Sequence, residues 1–295
     1  MQRVFHSSER LRAIIYILLA AVCWSFIGPF ASVAMQRGVT PLEVAFWRSL
    51  LAGSTFLILA LITKQKWAYG SKDIPFILGW VVFGVALNFM AYMSAVHYLG
   101  NGLAAILLYT APLWIMILSI LIYKEYPRRI QVIALIIGFA GILAICWPHE
   151  NMNITFVGLF WGLLSGLGYC FQYFFNNSRL QSQPIFFNFA IVFLGASLCL
   201  FPFVDFVPKS PLIWLSLLCL GSVATVLAYG FWSLSMRYLS PVTVSIIALL
   251  EPALATLWGV SFFGEQPNSL IYIGGILILL SALLITLSPA KPSVK

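Results

Sequence analysis

The chain has 295 residues, of which 62% are hydrophobic and only 8% charged, with a mean hydropathy of +1.00 and a net charge of +8. Soluble domains carry about a quarter charged residues, so a water-solvated surface is excluded for most of the chain and lipid is its solvent. The basic excess forms no stripe with interleaved aromatics, which argues against a nucleic acid partner and leaves orientation in a bilayer as its use.

A helix needs about 20 apolar residues to cross the hydrocarbon core. On that template the sequence predicts an all-α integral membrane fold of ten spans, at 13–35, 41–63, 74–98, 101–123, 129–147, 155–176, 183–204, 212–236, 240–262 and 268–288. The first apolar run is too long for the h-region of a cleaved signal, so it is expected to stay as a span. The gaps are short and none holds a soluble domain; the narrowest, between spans three and four, holds little beyond Gly100 and Asn101. With the N-terminus cytoplasmic, Arg3, Arg10, Arg12, Lys64, Lys66, Lys72, Lys124, Arg128, Arg129, Arg179, Arg237, Lys291 and Lys295 fall inside. Only Arg37 and Lys209 fall outside, and Arg48 lies within span two, so the positive-inside rule predicts both termini cytoplasmic. Cys23, Cys146, Cys170, Cys199 and Cys219 form no CxxC pair and are expected to be inert thiols. Asn153-Ile154-Thr155 matches a glycosylation sequon, a short match of little weight.

The two halves repeat. Leu99 to Glu125 (LGNGLAAILLYTAPLWIMILSILIYKE) aligns at a constant offset with Leu239 to Glu265 (LSPVTVSIIALLEPALATLWGVSFFGE), matching Pro112 to Pro252 and Glu125 to Glu265, with Tyr98 and Tyr238 just before. Span one, LLAAVCWSF, aligns more weakly with span six, LLSGLGYCF. A five-helix unit is odd, so the second copy, 155–289, enters the membrane upside down relative to the first, 11–147. Inverted repeats of this kind place a site between the halves near the midplane.

The Pro112…Glu125 and Glu251-Pro252…Gly264-Glu265 segments resemble the drug/metabolite transporter superfamily, and more narrowly the EamA-type ten-helix permeases, over nearly the whole chain. The resemblance implies secondary transport, often export of amino acids or related metabolites, with a cavity between spans one, three, four, six, eight and nine. It implies no cofactor and leaves the cargo open.

Pro112 and Pro252 sit mid-span, each crowding the carbonyl four residues earlier, at Leu108 and Ala248, and are expected to be hinges or cavity walls. Glu251 lies about 16 Å into span nine by helix rise, where a carboxylate is by default a functional hypothesis, binding a cationic group or a coupling proton; the plainer role is a hydrogen-bonded structural carboxylate at the kink. Arg48 lies about 10 Å into span two. Snorkelling to the interface is its favoured role, and a pair with Glu251 the sharper alternative. In span six, Ser165, Tyr169, Gln172 and Asn176 share one face, with Gly158, Gly162 and Gly166 at the spacing of close helix packing; the stripe is either a packing seam or a cavity wall. Ser222, Thr225, Tyr229 and Trp232 are placed on one face of span eight, and Asn88 and Tyr92 on one face of span three. Trp24, aligned with Tyr169 across the repeat, and Tyr109 either extend that lining or pack in the core. A cavity there predicts that Asn88, Gln172 and Trp232 are wet. His97, near the external end of span three, is expected to be solvated.

No nucleotide-binding GxxxxGK[ST] loop and no HExxH motif is present, so a gradient or an exchange partner is the expected energy source. The competing readings are an organic-cation carrier using aromatic rings and Glu251, and a membrane-embedded enzyme. The ionisable groups within the spans, Arg48, Glu251 and at most His97, are thin material for an enzyme. The expected compartment is a bacterial inner membrane.

Overall fold

A computed structural model describes residues 7–66, 68–147, 154–263 and 269–288. Gly264 and Glu265, which close the second repeat motif, Asn153 of the sequon, and Arg3, Lys291 and Lys295 lie outside the described residues. Among the described residues every regular element is helical. Nine helices among the described residues are long and apolar enough to cross a bilayer: α1 Ser8–Met35, α2 Pro41–Ile62, α3 Ile74–Gly100, α4 Gly102–Tyr123, α5 Arg129–Cys146, α7 Ile185–Phe203, α8 Pro211–Ser235, α9 Pro241–Ser261 and α10 Ser269–Leu287. The remaining long helix, α6 at Phe156–Asn176, has 21 residues and is not among these nine.

Local sequence explains the boundaries. Thr40, Ser210 and Ser240 cap helices by accepting from the backbone N–H of Glu43, Ile213 and Thr243, and each is followed by a proline in the first turn, where a missing N–H costs nothing. Gly100 separates α3 from α4 with φ 78°, a conformation that favours glycine. One boundary differs from expectation. The first helix begins earlier, near Ser8, and is broken at Phe26 into Ser7–Ser25 and Ile27–Met35. Pro29 is the cause, because its ring crowds the carbonyl of Ser25, four residues back.

Packing pairs each helix of the first half with one of the second: α2 with α7, α5 with α10, the end of α3 and start of α4 with α6, α1 with α8, and α4 with α9. Glycines make the closest approaches. A Cβ at Gly141 of α5 would lie 2.7 Å from the Gly274 carbonyl of α10, and a Cβ at Gly274 would lie 2.7 Å from the Gly141 carbonyl. Cβ atoms at Gly158 and Gly162 of α6 would collide with Leu99 and Leu107, so the glycine spacing read from the sequence is a close-packing seam.

Two stretches are π-helical, Trp80–Ala86 in α3 and Ser222–Leu227 in α8, separated by nearly the offset that relates Pro112 to Pro252. Bonding i→i+5 advances the register, and π segments cluster at functional sites. The shift corrects one expectation. Thr225, Tyr229 and Trp232 are buried, but Ser222 is exposed and its hydroxyl turns back to the Leu218 carbonyl.

The α2–α7 pair is tied down at both ends. At one end the Tyr69 hydroxyl donates to Asn188 (2.9 Å), Asp73 accepts from Gly70 N–H (2.9 Å) and Gln183 (3.2 Å), and Phe186 N–H donates to Gln65 (3.2 Å). Burial, and then the charge of Asp73, push the Tyr69 phenol well above its ordinary pKa, so it remains a neutral donor. At the other end Lys209, in the gap between spans seven and eight, has a buried side chain. Its ammonium forms an ion pair with Glu43, the two side chains being 6% and 0% exposed. It also lies 5.1, 5.7 and 5.9 Å from the ring centroids of Trp47, Phe206 and Trp214 and donates to the Val207 carbonyl (2.7 Å). Glu43 further accepts from Trp47 Nε1 (3.1 Å) and Val207 N–H (3.4 Å).

Removing one partner of such a buried pair strands the other charge. Glu43→Gln is expected to lower stability by about 3–5 kcal/mol, and Glu43→Leu with Lys209→Met together by less than the sum of the two singles. Denaturation in detergent of Glu43→Gln, and of the unmodified protein, Glu43→Leu, Lys209→Met and their combination as a double-mutant cycle, measures this; strict additivity in the cycle would mean that the two groups do not depend on each other.

Candidate functional site

The interior polar groups fall into two sets. In the first, Asn88 Nδ2 of α3 donates to the Ser165 carbonyl of α6 (2.7 Å), Gln172 Nε2 donates to Asn88 Oδ1 (3.4 Å), and the Tyr229 hydroxyl of α8 donates to Gln172 Oε1 (2.8 Å). Ser233 of α8 adds a bond to Asn176 Oδ1 (3.1 Å). Asn88, Ser165, Gln172, Asn176 and Tyr229 are all buried. The chain of bonds joins α3, α6 and α8, so most of the span-six stripe is a seam. Asn88, Gln172 and Trp232, expected to be wet, are dry in this conformation, at 4%, 1% and 1% exposure. Hydrocarbon offers an amide no partner, and these amides are held by each other.

The second set surrounds Glu251. The carboxylate is half-buried, one residue before Pro252 and just past the turn at Leu249 that interrupts α9. Tyr109 of α4 approaches it most closely among the tyrosines. Tyr92, Tyr169, Tyr173, Tyr229 and Arg48 all lie within electrostatic range. Both prolines begin helical segments instead of kinking continuous ones. Pro112 follows the turn at Tyr109–Thr110, where Thr110 returns both its N–H (3.2 Å) and its hydroxyl (2.6 Å) to the Leu107 carbonyl. Tyr109, Pro112, Tyr169, Tyr173, Ser245 and Leu249 enclose a small cavity of about 10 Å³, at the lower limit for one water.

Trp24 stands edge-on to Tyr229 at 5.6 Å and tilted to Trp232 at 6.3 Å; Tyr173 stands edge-on to Trp232 at 5.0 Å. The Tyr173 hydroxyl and Trp232 Nε1 approach one another without meeting hydrogen-bond geometry, and both are buried polar atoms lacking a partner among the described residues. Unsatisfied donors at the centre of a bundle are costly and rare. Tyr173 was not among the residues singled out from sequence, although Tyr169 and Tyr173 are spaced i, i+4 on one face and their rings meet at 5.6 Å.

Arg48 corrects its favoured role. It does not snorkel: Nε donates to Thr225 Oγ1 (2.8 Å), and the guanidinium lies 5.3 Å from the Phe89 ring centroid. The π-helical turn makes this possible, because Thr225 donates its own proton to the Leu220 carbonyl five residues back (2.9 Å) and leaves its lone pairs for Arg48. No ion pair within 4.0 Å joins Arg48 to Glu251 among the described residues, although the Arg48 charge acts on Glu251. His97 is exposed, as expected.

A bundle of apolar helices around a sequestered carboxylate, guanidinium and tyrosine cluster defines a multi-pass integral membrane protein that handles a small molecule. The chain belongs to the EamA-like transporter family, whose profile matches residues 11–147 and again 156–287. It is 31% identical over 269 residues to an uncharacterised transporter of Archaeoglobus fulgidus, covering 91% of this chain and 94% of that one. It is also 24% identical over 293 residues to the transporter YwfM of Bacillus subtilis, covering 94% of each. The pseudopaline exporter CntI of Pseudomonas aeruginosa is 27% identical over 247 residues, 82% of this chain and 84% of that protein. A solved crystal structure with 18% identity superposes with a TM-score of 0.78 over 92% of this chain and 95% of that chain, so the two share a fold.

The seam is testable separately from the centre. Tyr229→Phe leaves the Gln172 carbonyl oxygen without its donor and is expected to cost about 1–3 kcal/mol of stability, measured by denaturation in detergent. Tyr173→Phe removes a hydroxyl that bonds to nothing in the described structure and is expected to leave stability unchanged or raised.

Proposed function

We propose that the protein is a secondary transporter that exports amino acids or closely related small metabolites by alternating access. The observation that carries this reading is the pairing of opposite charges in one aromatic centre. Glu251 is suited to a substrate ammonium, Arg48 to a carboxylate, and the unpartnered Tyr173 hydroxyl and Trp232 N–H to further polar groups. A zwitterion satisfies both charges at once, whereas an organic cation leaves the guanidinium unanswered. The exporter name carried by CntI supports the outward direction.

Packing along α9 supports alternating access. Every residue from Pro241 to Leu250 is buried, so that half of the helix is enclosed on all sides. Beyond Glu251, Ala253 to Thr256 are all half-buried, and four consecutive residues cover a full turn. In α4, Gly102 to Tyr109 is likewise looser, with Ala104 and Ile106 alone buried. The site is therefore sealed at the Pro241 end, where Gln131 Nε2 of α5 donates to Thr243 (3.2 Å) and Ser240 (3.4 Å), and thinly covered at the other. On the inverted-repeat reading, α6 is a tenth crossing, residues 11–147 and 155–289 are two oppositely oriented halves, and the sealed end is cytoplasmic, as are both termini, in a bacterial inner membrane.

Counterflow in proteoliposomes against a panel of amino acids and the corresponding decarboxylated amines tests this. Exchange of at least one amino acid is expected, with Glu251→Gln reducing it roughly 10- to 100-fold, the worth of a hydrogen bond to a charged group. Arg48→Gln should impair amino acids more than the matching amines. Exchange of amines alone, insensitive to Arg48→Gln, would make the protein a cation carrier; silence across the panel in folded protein would remove the amino acid reading.

A further inference from the structure

The bundle centre holds polar atoms that the pairing of Glu251 and Arg48 with a zwitterion does not use. The Tyr173 hydroxyl of α6 and Trp232 Nε1 of α8 belong to side chains 1% exposed, and neither atom has a hydrogen-bond partner among the described residues. Their rings stand edge-on at 5.0 Å. Asn176, one turn further along α6, accepts at Oδ1 from Ser233, the neighbour of Trp232, and its Nδ2 is likewise unanswered. Tyr173 also walls the small cavity, together with Tyr109 of α4 and Ser245, Ala248 and Leu249 of α9. Those α9 residues precede Glu251, Ser245 by about 9 Å of helix rise, so the cavity lies between the carboxylate and the sealed Pro241 end.

We infer, building on the amino acid reading above, that Tyr173 and Trp232 form a subsite for a neutral oxygen acceptor, so that the cargo is an amino acid with a side-chain hydroxyl or carboxamide. Chemistry excludes the other side chains in turn. An apolar one leaves both donors buried and unanswered, at their full desolvation cost. A second ammonium brings only donors to donors, and an indole N–H has no lone pair to offer it. A second carboxylate is a buried charge without a cation, because the cargo's own α-carboxylate takes Arg48. A hydroxyl or carboxamide oxygen carries two lone pairs, one for each donor, and adds no charge. Position agrees: the cavity receives the part of the cargo that lies on the sealed side of its charged head. A resident water would also satisfy both donors, and would leave the site blind to the side chain.

Counterflow by the full-length protein with cargo pairs of matched shape, threonine against valine and asparagine against leucine, tests this. The expected result is a preference for the polar member of at least one pair, by roughly 10-fold or more in kcat/KM. Tyr173→Phe and Trp232→Phe should each bring that ratio towards unity. The ratio is taken within one protein, so differences in folded amount cancel, and Tyr173→Phe deletes a hydroxyl that bonds to nothing in the described fold. Equal exchange within both pairs, or preference for the apolar member, overturns the subsite and leaves the amino acid reading standing. A polar preference that survives both substitutions does the same. Absence of exchange for all four amino acids by folded protein overturns the subsite, and exchange of the corresponding decarboxylated amines in their place overturns the amino acid reading with it.

Discussion

Hydrocarbon supplies no hydrogen bonds, so each polar group carried into the bundle must be answered from within the protein. The consequences are visible helix by helix. Asn88 and Gln172 answer each other and recruit Tyr229; Gln131 spans from α5 to Thr243 and Ser240; Ser281 of α10 reaches the Ala134 carbonyl (2.5 Å). Each bond joins different helices, so satisfying the side chain also fixes the packing partner. Not every group is answered: among the described residues Ser49 Oγ, Trp80 Nε1, Trp114 Nε1, Asn176 Nδ2, the Tyr173 hydroxyl and Trp232 Nε1 are buried without a partner, and the last two belong to one central aromatic cluster.

Close packing distributes rigidity unevenly. The α5–α10 contact is carbonyl against glycine in both directions, and the α2–α7 pair is anchored at one end by the Tyr69–Asn188 and Asp73–Gln183 bonds and at the other by the buried Glu43–Lys209 ion pair. Breaking these is expensive in a medium of low dielectric. By contrast, α4 and α9 are each interrupted by a turn before a proline, and each has one half less enclosed than the other. The interrupted helices carry Tyr109 and Glu251, each close to its helix's break.

The π-helical stretches tie local backbone to chemistry. In α8 the widened turn lets Thr225 bond the Leu220 carbonyl while accepting from Arg48. A regular α-helix would have kept Ser222 nearer the same face and presented a different acceptor. The guanidinium is thereby drawn to the interior and laid over Phe89, near enough to Glu251 to share its field and too far to cancel its charge.

The amino-acid sequence by itself determined the helix boundaries to within a few residues, because apolar length and Ser/Thr-Pro starts act locally, and it marked Glu251, Tyr109, Tyr92, Tyr169, Tyr229, Trp24 and both prolines because charge, rings and breaks are conspicuous in an apolar run. It also exposed Gly158, Gly162 and Gly166 as a packing face. Tertiary structure alone decided what these groups face. Arg48 could be placed in depth but not in direction, since an inward acceptor depends on a register shift that no local pattern announces. Lys209 looked like a loop cation, and its burial requires Glu43, 0% exposed, from a helix far away in sequence. The Gln172 stripe read equally as a packing seam or a cavity wall, because one amide cannot reveal that another lies opposite it; in this conformation Asn88 and Gln172 bond each other and are buried. Depth and periodicity are properties of one helix; pairing is a property of two.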